Sequence, residues 1–212
     1  MTWEKVYWEP LPIWKSQTAF IRGGGPSLRE FNAECLRSEK VMVLNSSYLL
    51  APWAEVLFFM DTLWSEKHVD LIKKWPGLVV TTALGAKRVL PTIIKRVQVH
   101  LEPNFLHNPK WIRTGCSSGH AGIGLAIAMG ATTVVLLGYD MRFVEGRTHH
   151  HDEHTMSDEK LFARTFIPAF KGWDDQAKKA GVRILNATPD SALDEFEKID
   201  LQDFLSTSSV AA

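Results

Sequence analysis

Short apolar runs alternate along the chain with longer amphipathic or polar stretches. Thr18–Arg22, Lys40–Asn45, Glu55–Asp61, Leu78–Thr82, Val97–Leu101, Thr132–Leu137 and Val182–Asn186 each carry consecutive apolar residues, the pattern of buried strands. Helical spacing fills the intervals. Leu28, Phe31 and Leu36 share one face after Ser27, and Ser27 with Glu30 has the form of a capping box. Glu66–Trp75 is amphipathic and stops at Pro76-Gly77. Ser118–Met129 is apolar and rich in small residues, and Leu161–Gly181 forms the last long helix. Prolines and asparagines predict a loop over residues 102–116. The polar, histidine-rich residues 141–158 predict a loop or lid. A short helix at Ser191–Phe196 and a frayed tail at 206–212 complete the expectation.

Continuous apolar strands separated by helices predict an α/β fold of the Rossmann-like, doubly wound kind. Its sheet is mostly parallel, with helices on both faces. One domain spans residues 18–205. An aromatic arm at 1–17 precedes it, where Trp3, Trp8 and Trp14 lie near Pro10 and Pro12, which prevent a regular helix. The arm packs either on its own domain or on a second copy, so a homo-oligomer stays open.

Composition narrows the function classes. The 212 residues are 45% hydrophobic and 23% charged, ordinary for a globular domain. Lys plus Arg and Asp plus Glu both number 24, so there is no global basic excess of the kind a duplex nucleic-acid binder carries. The most apolar stretch, Ala121–Leu137, is broken by Gly130 and Thr132-Thr133, so no membrane span is expected. Cys35 and Cys116 are too few for a disulfide framework, which makes the cytoplasm the default compartment.

In an open α/β sheet, ligands sit beyond the carboxyl ends of the strands. The polar residues that follow strands are therefore the candidates. Gly23, Gly24, Gly25, Pro26 and Ser27 let the backbone approach a ligand closely, and a helix opening at Ser27 would suit a phosphate. The loop is neither G-x-G-x-x-G nor a Walker A, which disfavours a standard NAD or P-loop ATP site. Ser117, Ser118 and Gly119 open the small-residue helix and offer hydroxyls and N–H groups to a ligand or to the sheet. Asn45, Asp61 and Asp140 each end a strand, where an amide or carboxylate reads a base, a ribose or Mg²⁺ but also forms ordinary turns. Arg147, His149, His150, His151, Asp152, Glu153 and His154 suit acid–base work, a phosphate contact or a metal. Neither H-E-x-x-H nor a Cys-His zinc spacing is present, so no metal ligand is assigned.

Taken in order, several strings are familiar. They are Gly-Gly-Gly-Pro-Ser-Leu after the first strand, an asparagine closing the second, and Ser-Ser-Gly opening a small-residue helix. GLAIAMGATTVVLLGYDMRF and VRILNATPDSALDEF follow. Together they resemble the Rossmann-like bacterial sialyltransferases that use CMP-sialic acid. They also resemble the 6-hydroxymethylpterin diphosphokinase MptE-like family, whose members occur in phage and prophage genomes. The first resemblance implies a glycosyl transferase acting from a nucleotide-sugar donor on an acceptor hydroxyl, with no required cofactor. Gly23–Ser27, Asn45 and Ser117–Gly119 would hold the nucleotide, and His149 would be the base, with His151 or His154 beside it. The sequence departs from that family at Gly24, where the family loop usually has asparagine, and in lacking tyrosines at 141–160. Arg142, Arg147 or a second histidine would then meet the leaving phosphate. The second resemblance implies an ATP- and Mg²⁺-dependent diphosphokinase, with Asp61 and Asp140 on the metal. A metal-dependent hydrolase built on the histidines, and a nucleotide-binding module without turnover, are the remaining alternatives.

Overall fold

The computed structural model describes residues 7–86, 93–100, 111–152 and 158–209. Eight strands form one sheet: β1 (Thr18–Arg22), β2 (Lys40–Leu44), β3 (Val56–Phe59), β4 (Leu78–Thr81), β5 (Ile94–Arg96), β8 (Thr133–Leu137), β9 (Arg183–Asn186) and β10 (Glu197–Lys198). Two more, β6 (Gln98–His100) and β7 (Trp111–Arg113), pair in a small separate sheet. The large sheet runs in the order β10-β9-β8-β1-β2-β3-β4-β5, and every pairing is parallel. Strands therefore wind outward from β1 in one direction through β5, and in the other from β8 through β10. The winding reverses between β1 and β8, whose residues pair from Thr18–Thr133 to Arg22–Leu137.

Side chains alternate across this sheet, so each strand feeds two cores. Ile21, Met42, Phe58, Leu136 and Ile184 point to one face, under the Ser118–Ala128 and Trp173–Lys179 helices. Phe20, Val43, Leu57, Val135 and Leu185 point to the other, under Thr62–Lys67, Val69–Lys74 and Leu201–Ser209. Burial on both faces explains why the strands read as unbroken apolar runs.

Several local expectations are corrected. No capped helix starts at Ser27; a three-residue 3-10 turn, Pro26–Leu28, and a second, Ala33–Leu36, take its place. The backbone N–H and hydroxyl of Ser27 both bond Asp140 instead, a partner more than a hundred residues away. The strand expected at Val97–Leu101 is not the fifth strand of the large sheet: Ile94–Arg96, just before it, takes that place, and Gln98–His100 pairs in the small sheet. Within the expected 102–116 loop, Trp111–Arg113 forms strand β7, whereas residues 101–110 lie outside the described residues. The long Leu161–Gly181 helix is interrupted, because Pro168 and the left-handed Gly172 break it into a π turn, a 3-10 turn and the short Trp173–Lys179 helix. Residues 191–196 are irregular, and the tail is helical through Ser209. In the arm, Trp14 is wholly buried and its Nε1 donates to Glu55 Oε2 at 2.7 Å. Trp8 is half-buried, and Trp3 lies outside the described residues.

Candidate functional site

The winding reverses between β1 and β8, and a crevice lies at the carboxyl ends of these strands. There the structure has a cavity of about 420 Å³, lined by Gly23–Gly25, Leu44-Asn45, Ser117–Gly119, Gly138–Met141, His149, His151, Phe162 and Phe166. The triple-glycine loop, the serine pair, Asn45, Asp140 and two lid histidines thus converge from five separated stretches of sequence.

The glycine loop is clamped against the loop after β8. Gly23 N–H donates to Leu137 O and Gly25 N–H to Gly138 O, at 2.7 and 2.9 Å. A Cβ on Gly25 would stand 1.8 Å from Asp140 Oδ2 and 2.6 Å from Gly138 O. No side chain fits there. The carboxylate of Asp140 is almost wholly buried and accepts from Ser27 N–H at 3.0 Å and Ser27 Oγ at 2.9 Å. Its burial raises its pKa, partly offset by those two hydrogen bonds. Asp140 is therefore a brace for the loop as well as part of the cavity wall.

The segment after β9 also holds the loop that follows β8. Tyr139 N–H donates to Thr188 Oγ1 at 2.9 Å, Ser191 Oγ donates to Tyr139 O at 2.6 Å, and Ala192 N–H donates to Asp140 O at 2.9 Å. The Tyr139 hydroxyl donates to Gly119 O at 3.0 Å, which ties this loop to the start of the Ser118–Ala128 helix. Burial pushes the Tyr139 phenol pKa far up, so it stays a neutral donor.

Ser117 is the N-cap residue of that helix, yet its side chain caps no N–H. Its hydroxyl shares a 2.8 Å hydrogen bond with His120 Nδ1. Asn45 Nδ2 donates to Ser118 Oγ at 3.2 Å, so β2 and the helix meet through polar side chains at the cavity. Asn45 itself has φ 48, a left-handed conformation that asparagine tolerates better than most residues.

Over the glycine loop lies the lid. It begins with a tight hairpin: Val144 and Arg147 exchange both backbone bonds, and Glu145 and Gly146 have φ of 51 and 74. Two successive positive φ values match a type I′ turn, which glycine at the second position eases. His150 N–H then donates to Gly24 O at 2.9 Å. Ser47 Oγ donates to Gly23 O and lies 3.3 Å from His150 Nε2. His149 rests on Gly24, with Cδ2 at 2.9 Å from where a Cβ would be, and its Nδ1 is 2.9 Å from Thr148 Oγ1.

Not every expected site residue reaches the cavity. Asp61 caps the Thr62–Lys67 helix, its Oδ1 accepting from Leu63 and Trp64 N–H, and it does not line the cavity. Pro26 and Ser27 lie behind the glycines rather than in the wall. Arg147 pairs with Asp152 at 2.8 Å, away from the lining, and His154 lies outside the described residues. Asp140 lines the cavity and Asp61 does not, so the cavity does not bring the two carboxylates together. Among the described residues no group of three His, Cys, Asp or Glu side chains could hold a metal ion. The sequence reading missed Tyr139, Met141, Phe162, Phe166 and His120. Gly138-Tyr139 directly follows a strand and could have been read as part of the switch-point loop. The phenylalanines gave no such signal, since helical apolar residues most often face the core.

Fold and cavity together define a doubly wound α/β protein with a crevice at its topological switch point. The chain matches the structure of the sialyltransferase CstII from Campylobacter jejuni, determined with the substrate analogue cytidine-5'-monophosphate, at a TM-score of 0.56. The match covers 87% of this chain and 85% of that one at 18% identity, which establishes a shared fold. No protein family model matches the chain, and no curated protein matches it. Among the described residues no helix is long and apolar enough to cross a membrane.

Proposed function

We propose that this protein is a nucleotide-dependent glycosyl transferase that binds the donor's nucleotide in the switch-point cavity. One observation carries the reading: Gly23–Gly25, the start of the Ser118–Ala128 helix and the imidazoles of His149 and His151 line a single cavity. A glycine loop admits a phosphate close to the backbone, and the helix N-terminus favours negative charge. The shared fold with a sialyltransferase whose structure is in complex with cytidine-5'-monophosphate supports a pyrimidine nucleotide as the ligand.

In this reading the acceptor hydroxyl attacks the donor's anomeric carbon. The bond from that carbon to the phosphate oxygen breaks, and the nucleotide leaves as its phosphate. A lid histidine takes the acceptor's proton, as an imidazole can near neutral pH. His149 and His151 are the candidates among the described residues. The N–H groups of the helix start stabilise the charge that develops on the leaving phosphate. The diphosphokinase alternative is less well supported, because Asp61 caps a helix and lies outside the cavity that Asp140 lines.

Thermal unfolding with CMP, CDP, UDP or ATP, each with and without Mg²⁺, tests this. A ligand at a hundred times its Kd adds about 2.7 kcal/mol. For a chain of this size that raises Tm by roughly 5–10 °C. A cytidine or uridine nucleotide is expected to do so without metal. Failure of every nucleotide to shift Tm refutes the reading. A shift by ATP that needs Mg²⁺ favours the diphosphokinase. With a donor in hand, His149→Ala and His151→Ala separate the two histidines by loss of kcat.

A further inference from the structure

Resting on this nucleotide reading, we infer that His120 is a positioning residue: it holds the Ser117 hydroxyl off the start of the Ser118–Ala128 helix, leaving those N–H groups open to a ligand phosphate. A serine at the N-cap normally accepts from the N–H two or three residues on and so closes the end of the helix. Ser117 has the right identity and an extended backbone, φ −147 and ψ 163, yet makes no such bond. Its oxygen is 2.8 Å from His120 Nδ1 instead.

The imidazole is held in place independently. His120 is wholly buried and stacks on Phe170 with ring centroids 3.6 Å apart and planes 15° from parallel. Trp173 meets it edge-on at 5.6 Å. On its other side the ring lies on the bare Cα of Gly115, where a Cβ would come within 2.5 Å of Cγ and Cδ2. Gly115, Ser117 and His120 thus form one interlocked unit on the approach to the helix. None of this packing is needed to bury a histidine, since an apolar ring would fill the same slot without a polar atom. Of its two ring nitrogens, Nδ1 is spent on Ser117. Ser117, Ser118 and Gly119 line the cavity, so the uncapped end opens on the ligand space.

The test follows from what Ser117 does when released. In His120→Phe the stack is kept, the hydroxyl turns to cap the helix, and it competes with the phosphate. Ser117→Ala removes the competitor. CMP and cytidine binding is measured by titration calorimetry for wild type, His120→Phe, Ser117→Ala and the double variant. A cap is worth enough to weaken CMP by about five-fold in His120→Phe. Ser117 lines the cavity, so Ser117→Ala serves as its own baseline: in that background His120→Phe changes CMP affinity by less than about two-fold, and cytidine, which has no phosphate, is not weakened by His120→Phe. This loss of effect is a readout that a merely structural role for His120 would not give. Should His120→Phe fail to fold, Gly115→Ala displaces the same ring and is measured in the same two backgrounds. CMP affinity unchanged in His120→Phe, or weakened by it as much in the Ser117→Ala background as in wild type, overturns the inference. Wild-type protein that binds no nucleotide at all overturns the functional reading itself, and with it this inference.

Discussion

Gly24 and Gly25 are neighbours in one loop, yet the structure assigns them opposite tolerance to a methyl group. At Gly25 the added Cβ meets Asp140 Oδ2 at 1.8 Å and Gly138 O at 2.6 Å. Neither can retreat cheaply. Gly138 O is the acceptor for Gly25 N–H, and the carboxylate holds Ser27 by two bonds. Overpacking alone costs about 1–3 kcal/mol. A shift of the loop also weakens one backbone hydrogen bond worth about 1 kcal/mol and two to a carboxylate worth about 1.5–3 each. Partial loss of these brings the expected cost of Gly25→Ala to about 3–5 kcal/mol. At Gly24 the nearest atom is Cδ2 of His149, 2.9 Å away, on a side chain that can rotate. Alanine there lowers the entropy of the unfolded chain, worth about 0.4–1 kcal/mol, against a small displacement of the ring. Gly24→Ala should stay within about 1 kcal/mol of wild type. Urea unfolding followed by tryptophan fluorescence measures both, since the chain carries 8 tryptophans. Equal destabilisation of the two variants, or a larger one at Gly24, refutes the argument that the clamp on Asp140 sets the loop.

Further expectations concern single side chains. Asp61→Ala removes the cap of the Thr62–Lys67 helix and should cost about 1 kcal/mol in urea unfolding, while nucleotide affinity is unchanged because Asp61 lies outside the cavity. Burial raises the Asp140 pKa, so the protonated carboxyl favours folding: that stabilisation is fully present below the ordinary aspartate value of 3.8 and is lost as pH rises through the higher folded value. The stability of Asp140→Asn relative to wild type should therefore increase between pH 4 and pH 7, and a flat difference in urea midpoint across that range contradicts it. Arg22 is wholly buried, and among the described residues its guanidinium has no hydrogen-bond partner. Burial lowers its pKa to about 10, and its guanidinium carbon lies 5.3 Å from the centroid of the Phe31 ring. Arg22→Met should leave stability unchanged or raise it by about 1 kcal/mol, and a loss above 2 kcal/mol in calorimetric unfolding counts against an unpaired guanidinium.

The sheet was legible because burial on both faces writes itself into local sequence. Val41-Met42-Val43-Leu44 and Val134-Val135-Leu136-Leu137 have no polar position, since successive side chains enter opposite cores. The Ser118–Ala128 helix was legible for the same reason. Elements set by distant partners were misread. Ser27 has every local mark of a helix cap, but its N–H and hydroxyl are both claimed by Asp140, a residue that no window around Ser27 contains. The expected Leu161–Gly181 helix breaks at Pro168 and Gly172, where the local residues do show the fault.

The site divided along the same line. Chain-local pattern marked the glycine loop, Asn45, the serine pair and Asp140, because each follows or precedes a strongly apolar element. It gave equal standing to Asp61 and Arg147, whose side chains the structure spends on a helix cap and on Asp152. It was silent on His120, whose contact with Ser117 depends on a ring held by Phe170, Trp173 and Gly115.

By itself, then, the sequence determined the strands buried on both faces, β1 to β4, β8 and β9, and that a parallel sheet joins them, since apolar runs and their spacing are properties of neighbouring residues. Which strand ends lie side by side, and so which polar groups share a cavity, was decided only by the winding reversal between β1 and β8. That order arises from packing among residues far apart in the chain, where no local pattern records it.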